Sequence, residues 1–154
     1  MKKAGFTLIE LLLVTAILAI LATAVIMTLD APRRLRESRD TRRQSDVETI
    51  LNAVHLYFLD QGTFPTGLSA GMNEVQLGTA ASGCQVQSGG CNALESKCLD
   101  LRAPLARYLQ EIPRDPNLRA NTRTYAYTIS IDANRIVTIK ACGAESAGQI
   151  LISR

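Results

Sequence analysis

The chain has 154 residues, of which 47% are hydrophobic and 20% are charged, and its formal net charge is +3. This length suits one domain of ordinary size and is short for two. A composition near the globular average excludes a wholly disordered chain and a membrane protein with many spans. The small net charge, the absence of Trp and an aromatic content of 5% disfavour binding to phosphates and stacking on bases. We therefore predict no specific nucleic-acid partner.

The N-terminal region is far more apolar than the rest of the chain. Residues 6–29 hold 19 apolar residues among 24 and contain no Gly, Pro, Lys or Arg. As a helix, this segment would rise about 36 Å, which exceeds the roughly 30 Å of a bilayer's hydrocarbon core. Because apolar residues occupy every side of the helix, we predict a transmembrane segment over residues 6–29.

A cleaved secretory signal is an alternative interpretation of this segment. The tripeptide Ala22-Thr23-Ala24 has the small-x-small form of a signal-peptidase site, and a basic start precedes it. Cleavage there would release a secreted, disulfide-bonded binding domain. Against it, Glu10 lies inside the apolar run, and the run continues past Ala24. We keep release after Ala24 as the second alternative.

The start of the chain resembles the class III leader of type IV pilins and pseudopilins. Residues 2–5 read Lys-Lys-Ala-Gly, and residues 6–10 read Phe-Thr-Leu-Ile-Glu. The resemblance implies that a prepilin peptidase cuts between Gly5 and Phe6 on the cytoplasmic side and that Phe6 is then N-methylated. The helix would stay attached, first as a membrane anchor and later as the core of a filament.

Glu10 is an acidic residue inside the apolar segment. An ionised carboxylate at the bilayer centre costs about 2.5 kcal/mol or more unless it has a partner. One interpretation is that Glu10 lies near the membrane surface at the helix N-terminus and has no further role. The pilin resemblance implies instead that Glu10 pairs with the terminal ammonium of Phe6 in a neighbouring subunit, so that both residues direct filament assembly.

The charges around the apolar segment conflict over its orientation. Two lysines precede it, and six arginines follow it: Arg33, Arg34, Arg36, Arg39, Arg42 and Arg43. A positive-inside count alone would place the C-terminal part in the cytoplasm. The leader resemblance requires the opposite orientation, and the cysteines suit an oxidising compartment. We predict a single-pass precursor in the inner (cytoplasmic) membrane with an extracytoplasmic head, which ends in an extracellular pilus or a periplasmic pseudopilus.

The arginines lie in a continuation of the helix, which we predict over residues 30–60. Three pairs of opposite charge have i, i+4 spacing: Arg33 with Glu37, Arg36 with Asp40, and Arg42 with Asp46. We therefore interpret the cluster as a solvated or intersubunit ion-pair face rather than a patch for DNA or lipid. Pro32 predicts a bend or local melt near Ala31. His55, the single histidine, is predicted to lie on the helix surface.

The second half of this helix is amphipathic. Its apolar stripe consists of Val47, Ile50, Leu51, Val54, Tyr57 and Phe58. This helical spacing predicts a face that packs on a sheet. A short amphipathic helix is predicted from Leu101 to Ile112. Alternating apolar and polar residues predict antiparallel strands over 124–131, 135–142 and 149–153, with a turn at 132–134.

Residues 62–96 are rich in Gly, Ser, Thr and Ala and show weak periodicity. We predict a long excursion held by covalent pins, since long loops without secondary structure are unusual in compact domains. Oxidation would join the four cysteines in one of three pairings: Cys84, Cys91, Cys98 and Cys142. The sequence does not decide among the pairings, and we favour Cys84–Cys91 with Cys98–Cys142. The absence of C-x-x-C spacing disfavours zinc binding and redox catalysis.

The head also resembles pilins and major pseudopilins. Residues 60–65 and 108–116 are similar to their D-x-G-x-[YF]-P and Y-L-x-x-[IL]-P-x-D-P stretches. The resemblance implies the pilin fold, which is α+β: a long N-terminal helix packed on a small antiparallel sheet of about three strands, here with a disulfide-pinned αβ loop. Asn117-Leu118 stands where major pseudopilins usually have W-G, and residues 144–146 offer one acid where they carry a calcium loop. We therefore predict no metal and no cofactor.

These features predict a structural subunit of a type IV pilus-like extracellular filament and no enzymatic activity. The predicted parts are a leader (1–5), a transmembrane or filament-core helix (6–29), an amphipathic continuation (30–60) and a globular head (61–154). The predicted partners are other copies of the chain in a helical filament, the prepilin peptidase and methyltransferase, and a membrane assembly platform. A major pseudopilin of a type II secretion system is the first alternative.

Overall fold

A computed structural model of the chain describes residues 5–28, 30–118, 122–146 and 148–154. Two long helices come first, α1 (Leu8–Thr28) and α2 (Ala31–Gln61). The chain divides into two compact units, Met1–Arg34 and Leu35–Arg154. Lys2, Lys3 and Ala4 of the predicted leader, and Leu29 at the end of the predicted membrane segment, lie outside the described residues.

Helix α1 is apolar on all sides. Its 21 residues correspond to a rise of about 32 Å, close to the thickness of a bilayer's hydrocarbon core. Among the described residues, one helical region, which begins at Leu8 and includes α1, is long and apolar enough to cross a membrane by length and composition. The side chains of its apolar window are not buried. The N-terminal helix thus fits a membrane-anchored precursor.

The helical pattern is interrupted between α1 and α2. Asp30 is not helical, and its Oδ1 accepts a hydrogen bond from the backbone N–H of Arg33 at 3.4 Å. Asp30 therefore caps the start of α2. Pro32 falls in the first turn, where a missing backbone N–H removes no helical hydrogen bond. The interruption predicted near Ala31 is present, and it takes the form of a new helix start.

The head contains a four-stranded antiparallel sheet in the order β1-β2-β3-β4. Its strands are β1 (Met72–Gly78), β2 (Thr124–Ile131), β3 (Val137–Ala141) and β4 (Ile150–Ser153). The last three confirm the predicted strands, with the ends of β3 and β4 shorter than expected. Strands β2 and β3 form the predicted hairpin, with Ile131 opposite Val137 and Tyr127 opposite Ala141.

Strand β1 lies inside the segment predicted to be a structureless excursion, so that prediction was wrong for residues 72–78. The register of β1 against β2 is irregular between Met72 and Val75 and again between Gln76 and Gly78. Three consecutive residues at its end are buried. Bulges of this kind break the alternation of inward and outward side chains, and so remove the period-2 signal on which strand prediction depends.

One hydrophobic core joins α2 to the sheet. The predicted stripe of α2 is buried from Val47 to Val54, with Tyr57 packed at its margin. The sheet contributes Tyr125, Tyr127, Ile129, Ile131, Val137, Ile139, Ala141 and Ile150. The stripe therefore has the sheet partner that its spacing predicted, which confirms the α+β fold class.

The helix predicted from Leu101 to Ile112 is much shorter in the structure. Helix α3 covers only Arg102–Leu105, although Leu101, Leu105 and Ile112 are all buried as the pattern indicated. Tyr108 follows in a turn, and its hydroxyl donates a hydrogen bond to Asp60 at the end of α2. The carbonyl of Leu105 accepts hydrogen bonds from the N–H groups of both Tyr108 and Leu109 at 2.9 Å, so the chain leaves the helix in a turn.

Candidate functional site

Phe6 and Glu10, the residues predicted to act in assembly, lie at the start of α1 and are exposed. The Phe6 side chain is 83% exposed. Together with Leu11 and Val14, these two residues line an open groove of about 240 Å³. The processing predicted at the Gly5–Phe6 bond, the N-methylation of Phe6 and the intersubunit role of Glu10 remain predictions.

Glu10 takes part in a capping box with Thr7. Glu10 Oε2 accepts hydrogen bonds from the backbone N–H and the hydroxyl of Thr7, at 3.1 and 2.9 Å. The backbone N–H of Glu10 donates in return to Thr7 Oγ1 at 3.3 Å. This arrangement satisfies N–H groups that a helix start leaves without partners. Thr-x-x-Glu before an apolar run is a known sign of a helix start, so residues 7–10 carried a sequence signal for this cap.

The disulfide bonds join Cys84 to Cys98 and Cys91 to Cys142, so the favoured pairing was wrong. The reason is that residues 84–98, the cysteine loop, fold back on themselves. Val86 and Ala93 exchange two backbone hydrogen bonds, at 3.0 and 2.9 Å, and form an isolated antiparallel bridge.

The fold-back decides which cysteines meet. It brings the two ends of the loop together, since the N–H of Cys84 donates to the carbonyl of Ser96, two residues before Cys98, at 3.0 Å. The fold-back also creates a turn between Val86 and Ala93, and Cys91 lies in it. The hydroxyl of Ser88, in the same turn, donates a hydrogen bond to the carbonyl of Cys142 at 3.1 Å. The turn is therefore tied to the end of β3.

The arginine cluster does not form one solvated face, because Arg43 is fully buried. Its Nε and Nη2 donate to Asp115 Oδ2 and Oδ1, at 2.6 and 2.9 Å. Its Nη1 donates to Asp40 Oδ1 at 2.8 Å and to Glu145 Oε1 at 2.9 Å. Burial alone would lower the pKa of Arg43, but the hydrogen bonds to Asp115, Glu145 and Asp40 raise it. Arg43 therefore stays charged at the centre of three carboxylates.

A sequence signal for the burial of Arg43 was available. Positions 40 and 43 precede Val47 by seven and four residues, so they continue the buried face of α2 toward its N-terminus. The i, i+4 rule that we applied considers partners on the same helix. Asp115 and Glu145 come from distant parts of the chain, and helix periodicity cannot reveal them.

Glu145 lies in the β3–β4 loop and receives hydrogen bonds from two arginines. Arg39 Nε donates to Glu145 Oε1 at 2.7 Å, and Arg43 Nη1 donates to the same oxygen. These hydrogen bonds lower the pKa of Glu145 from its ordinary 4.5 to about 2, and the bond from Arg39 has the larger effect. The carboxylate is therefore ionised over the whole range in which proteins normally work.

This lowered pKa predicts a dependence of stability on pH. A carboxyl group whose pKa is lower in the folded state stabilises the fold above its unfolded pKa, and loses that effect as the pH falls through the folded value. We expect Glu145→Gln to reduce the free energy of unfolding above pH 4.5 and to have no effect below about pH 2. Urea unfolding of the two proteins at a series of pH values measures the difference. Glu48→Gln, at an exposed position of α2, is the control, and an effect of Glu145→Gln that did not change with pH would contradict the prediction.

Residues 1–26 match the family model described as the prokaryotic N-terminal methylation motif. The match contains Gly5, Phe6 and Glu10 and most of α1. Together with the α+β fold of a long N-terminal helix, an antiparallel sheet and two disulfide bonds, it supports a type IV pilin or pseudopilin. Proteins of this class are structural rather than catalytic.

The chain is similar to a protein named type II secretion system core protein G from Aeromonas hydrophila, with 34% identity over 76 residues. The match covers 47% of this chain and 52% of that protein, so the chain spans about half the length of the curated relative it matches. No solved structure is significantly similar to the chain. The relative supports the same pilin and pseudopilin class as the methylation motif.

Proposed function

We propose that the chain is made as a membrane-anchored precursor, loses residues 1–5, is N-methylated at Phe6 and assembles through α1 into a helical, pilus-like filament. The observation that carries the proposal is the surface of α1. Its exposed large apolar side chains have exposed fractions from 49% at Ile17 to 84% at Leu8. An apolar surface of this extent needs lipid or other apolar helices around it. The bilayer supplies the first environment, and a bundle of identical helices supplies the second.

A filament follows from one repeated contact between identical subunits. Contacts that join two different surfaces of the same protein give an open helical assembly whenever the rotation does not close into a ring. The proposed partners are therefore other copies of the chain. A prepilin peptidase and methyltransferase would process Gly5–Phe6, and a membrane assembly platform would extract the helix from the inner membrane into an extracellular filament.

Glu10 has a defined part in this proposal. Within one subunit its carboxylate accepts hydrogen bonds from Thr7, which caps the helix but supplies no opposite charge. Cleavage before Phe6 would create an ammonium group, and a neighbouring subunit could present that group to Glu10. A buried ion pair of this kind sets the register of the contact more than it adds stability.

Two substitutions at Glu10 separate its charge from its capping role. Glutamine can occupy the same place in a capping box, so Glu10→Gln keeps the cap and removes the charge, whereas Glu10→Ala removes both. We expect normal membrane insertion in both variants and a drop in filament yield of about tenfold or more. A tenfold drop corresponds to a loss of roughly 1.4 kcal/mol of binding free energy at each contact between subunits. Sheared filaments and membrane fractions are compared by immunoblot. A wild-type filament yield from Glu10→Gln would show that the charge has no role in assembly.

A major pseudopilin of a type II secretion system is the second candidate, because the relative at 34% identity is named as a type II secretion core protein. Deletion of the coding sequence distinguishes the two. A pilus subunit predicts loss of surface fibres with normal export of secreted proteins. A pseudopilin predicts that secreted proteins accumulate in the periplasm.

A further inference from the structure

The described residues of the β3–β4 loop, 142–146 and 148–149, are attached to the rest of the head at three places. Cys142 is disulfide-bonded to Cys91 at its start. The side chain of Gln149 donates to the carbonyl of Gly90 at 3.2 Å at its end. In the middle, Asp40 of α2 accepts hydrogen bonds from two backbone N–H groups of the loop, at residues 145 and 146. This middle attachment is the ionic one, because it includes Glu145, Arg39 and Arg43.

The middle attachment places three carboxylates around one point. Asp40 and Asp115 are 6% and 4% exposed, and the Glu145 side chain is 20% exposed. Ionised carboxylates that share a buried site repel one another unless positive charge lies between them. The loop can therefore close over α2 only with positive charge at the centre of the group.

A calcium ion, of the kind that major pseudopilins carry in a loop near the C-terminus, does not fit this group. Calcium needs six to eight oxygen ligands at about 2.3–2.6 Å. Here oxygens of all three carboxylates face N–H donors of Arg43, at 2.6 to 2.9 Å. The loop presents N–H groups to Asp40 at residues 145 and 146, whereas a calcium loop presents carbonyl oxygens to its ion. Within the described ranges, no group of three or more His, Cys, Asp or Glu side chains has an arrangement that could hold a metal ion.

The guanidinium of Arg43 holds the β3–β4 loop against α2. The planar guanidinium of Arg43 donates two parallel hydrogen bonds to Asp115, a geometry that arginine can offer and a simple cation cannot. Its third nitrogen, Nη1, donates both to Asp40 of α2 and to Glu145 of the loop. Gly143 also lies against this group, because a Cβ there would meet Asp115 Oδ2 and come within 3.2 Å of Arg43 Nη2. The loop backbone is thus fitted closely around the guanidinium.

We propose that Arg43 is the resident cation of the β3–β4 loop, so that the loop closes and the head folds without a divalent metal ion. Arg43 takes the place of a bound ion by donating hydrogen bonds to Asp40, Asp115 and Glu145 from within the chain. Together with Arg39, which pairs with Glu145, it offsets two of the three negative charges. This inference concerns the head alone and does not depend on whether the chain forms a filament.

Hydrogen exchange of the full-length protein in detergent tests the proposal. We expect the amides of Glu145 and Ser146 to exchange at the same rate in excess EDTA and in excess Ca²⁺, and the melting temperature to be equal in both. Glu145→Gln keeps Arg43 and removes one of its partners. It should speed exchange at these amides on the order of tenfold through easier local opening, to the same extent with and without Ca²⁺, while Glu48→Gln should leave exchange unchanged. Slower exchange or a higher melting temperature of the wild-type protein on addition of Ca²⁺ would overturn the proposal.

Discussion

Replacing Arg43 by Met is expected to lower the free energy of unfolding by about 3–5 kcal/mol, the usual cost of removing one partner from a buried ion pair. Methionine is shorter but has a similar volume, so the change in packing volume is small, and the main effect is electrostatic. Asp40 and Asp115 would remain buried without the guanidinium that donates hydrogen bonds to both. Urea unfolding of the full-length protein in detergent, followed by circular dichroism, measures the change.

The matched control is Arg42→Met at the neighbouring exposed position. Exposed substitutions away from special features usually change stability by less than about 0.5 kcal/mol. A loss of stability that was equal in the two variants would contradict the central position assigned to Arg43. It would indicate that the whole arginine cluster acts as a solvated ion-pair face.

Removal of the Cys91–Cys142 disulfide bond is the second change with a large expected effect. The bond closes a loop of sequence separation 51, whereas Cys84–Cys98 closes one of 14. The loss of chain entropy in the unfolded state corresponds to about 4 kcal/mol for the longer loop and about 3 kcal/mol for the shorter. We expect the Cys91→Ala/Cys142→Ala double variant to be less stable than wild type by up to this amount.

Peptide mapping without reduction checks the pairing on which this prediction depends. The wild-type protein should yield one linked pair of peptides with Cys84 and Cys98, and a second pair with Cys91 and Cys142. The Cys84→Ala/Cys98→Ala variant is the comparison for stability, and it should lose less than the other double variant. A peptide that links Cys98 to Cys142 would contradict the structure.

The parts of the fold that sequence patterns predicted are those governed by regular periodicity. The stripe from Val47 to Val54 and the alternation from Thr124 to Ile131 each reflect one face of a regular element on one core. Strand β1 was missed because its bulges interrupt the alternation. Helix α3 is shorter than its apolar spacing predicted, because the chain leaves the helix in a turn at residues 106–108 while Leu105 and Ile112 stay buried.

The residues that join distant segments could not be predicted in the same way. Arg43 and Asp115 are 72 positions apart, and Cys91 and Cys142 are 51 apart. Nothing in local spacing says which distant residue will meet which, because that depends on how the cysteine loop and the β3–β4 loop fold back on the head. The N-terminal motif is the opposite case, since residues 2–10 carry their signal in consecutive positions.

The most direct test of the proposed function is the intact mass of subunits from purified extracellular filaments, combined with N-terminal sequencing. The account predicts a chain that begins at methylated Phe6 and still contains α1. Subunits that begin at Val25, and therefore lack most of this helix, would contradict it.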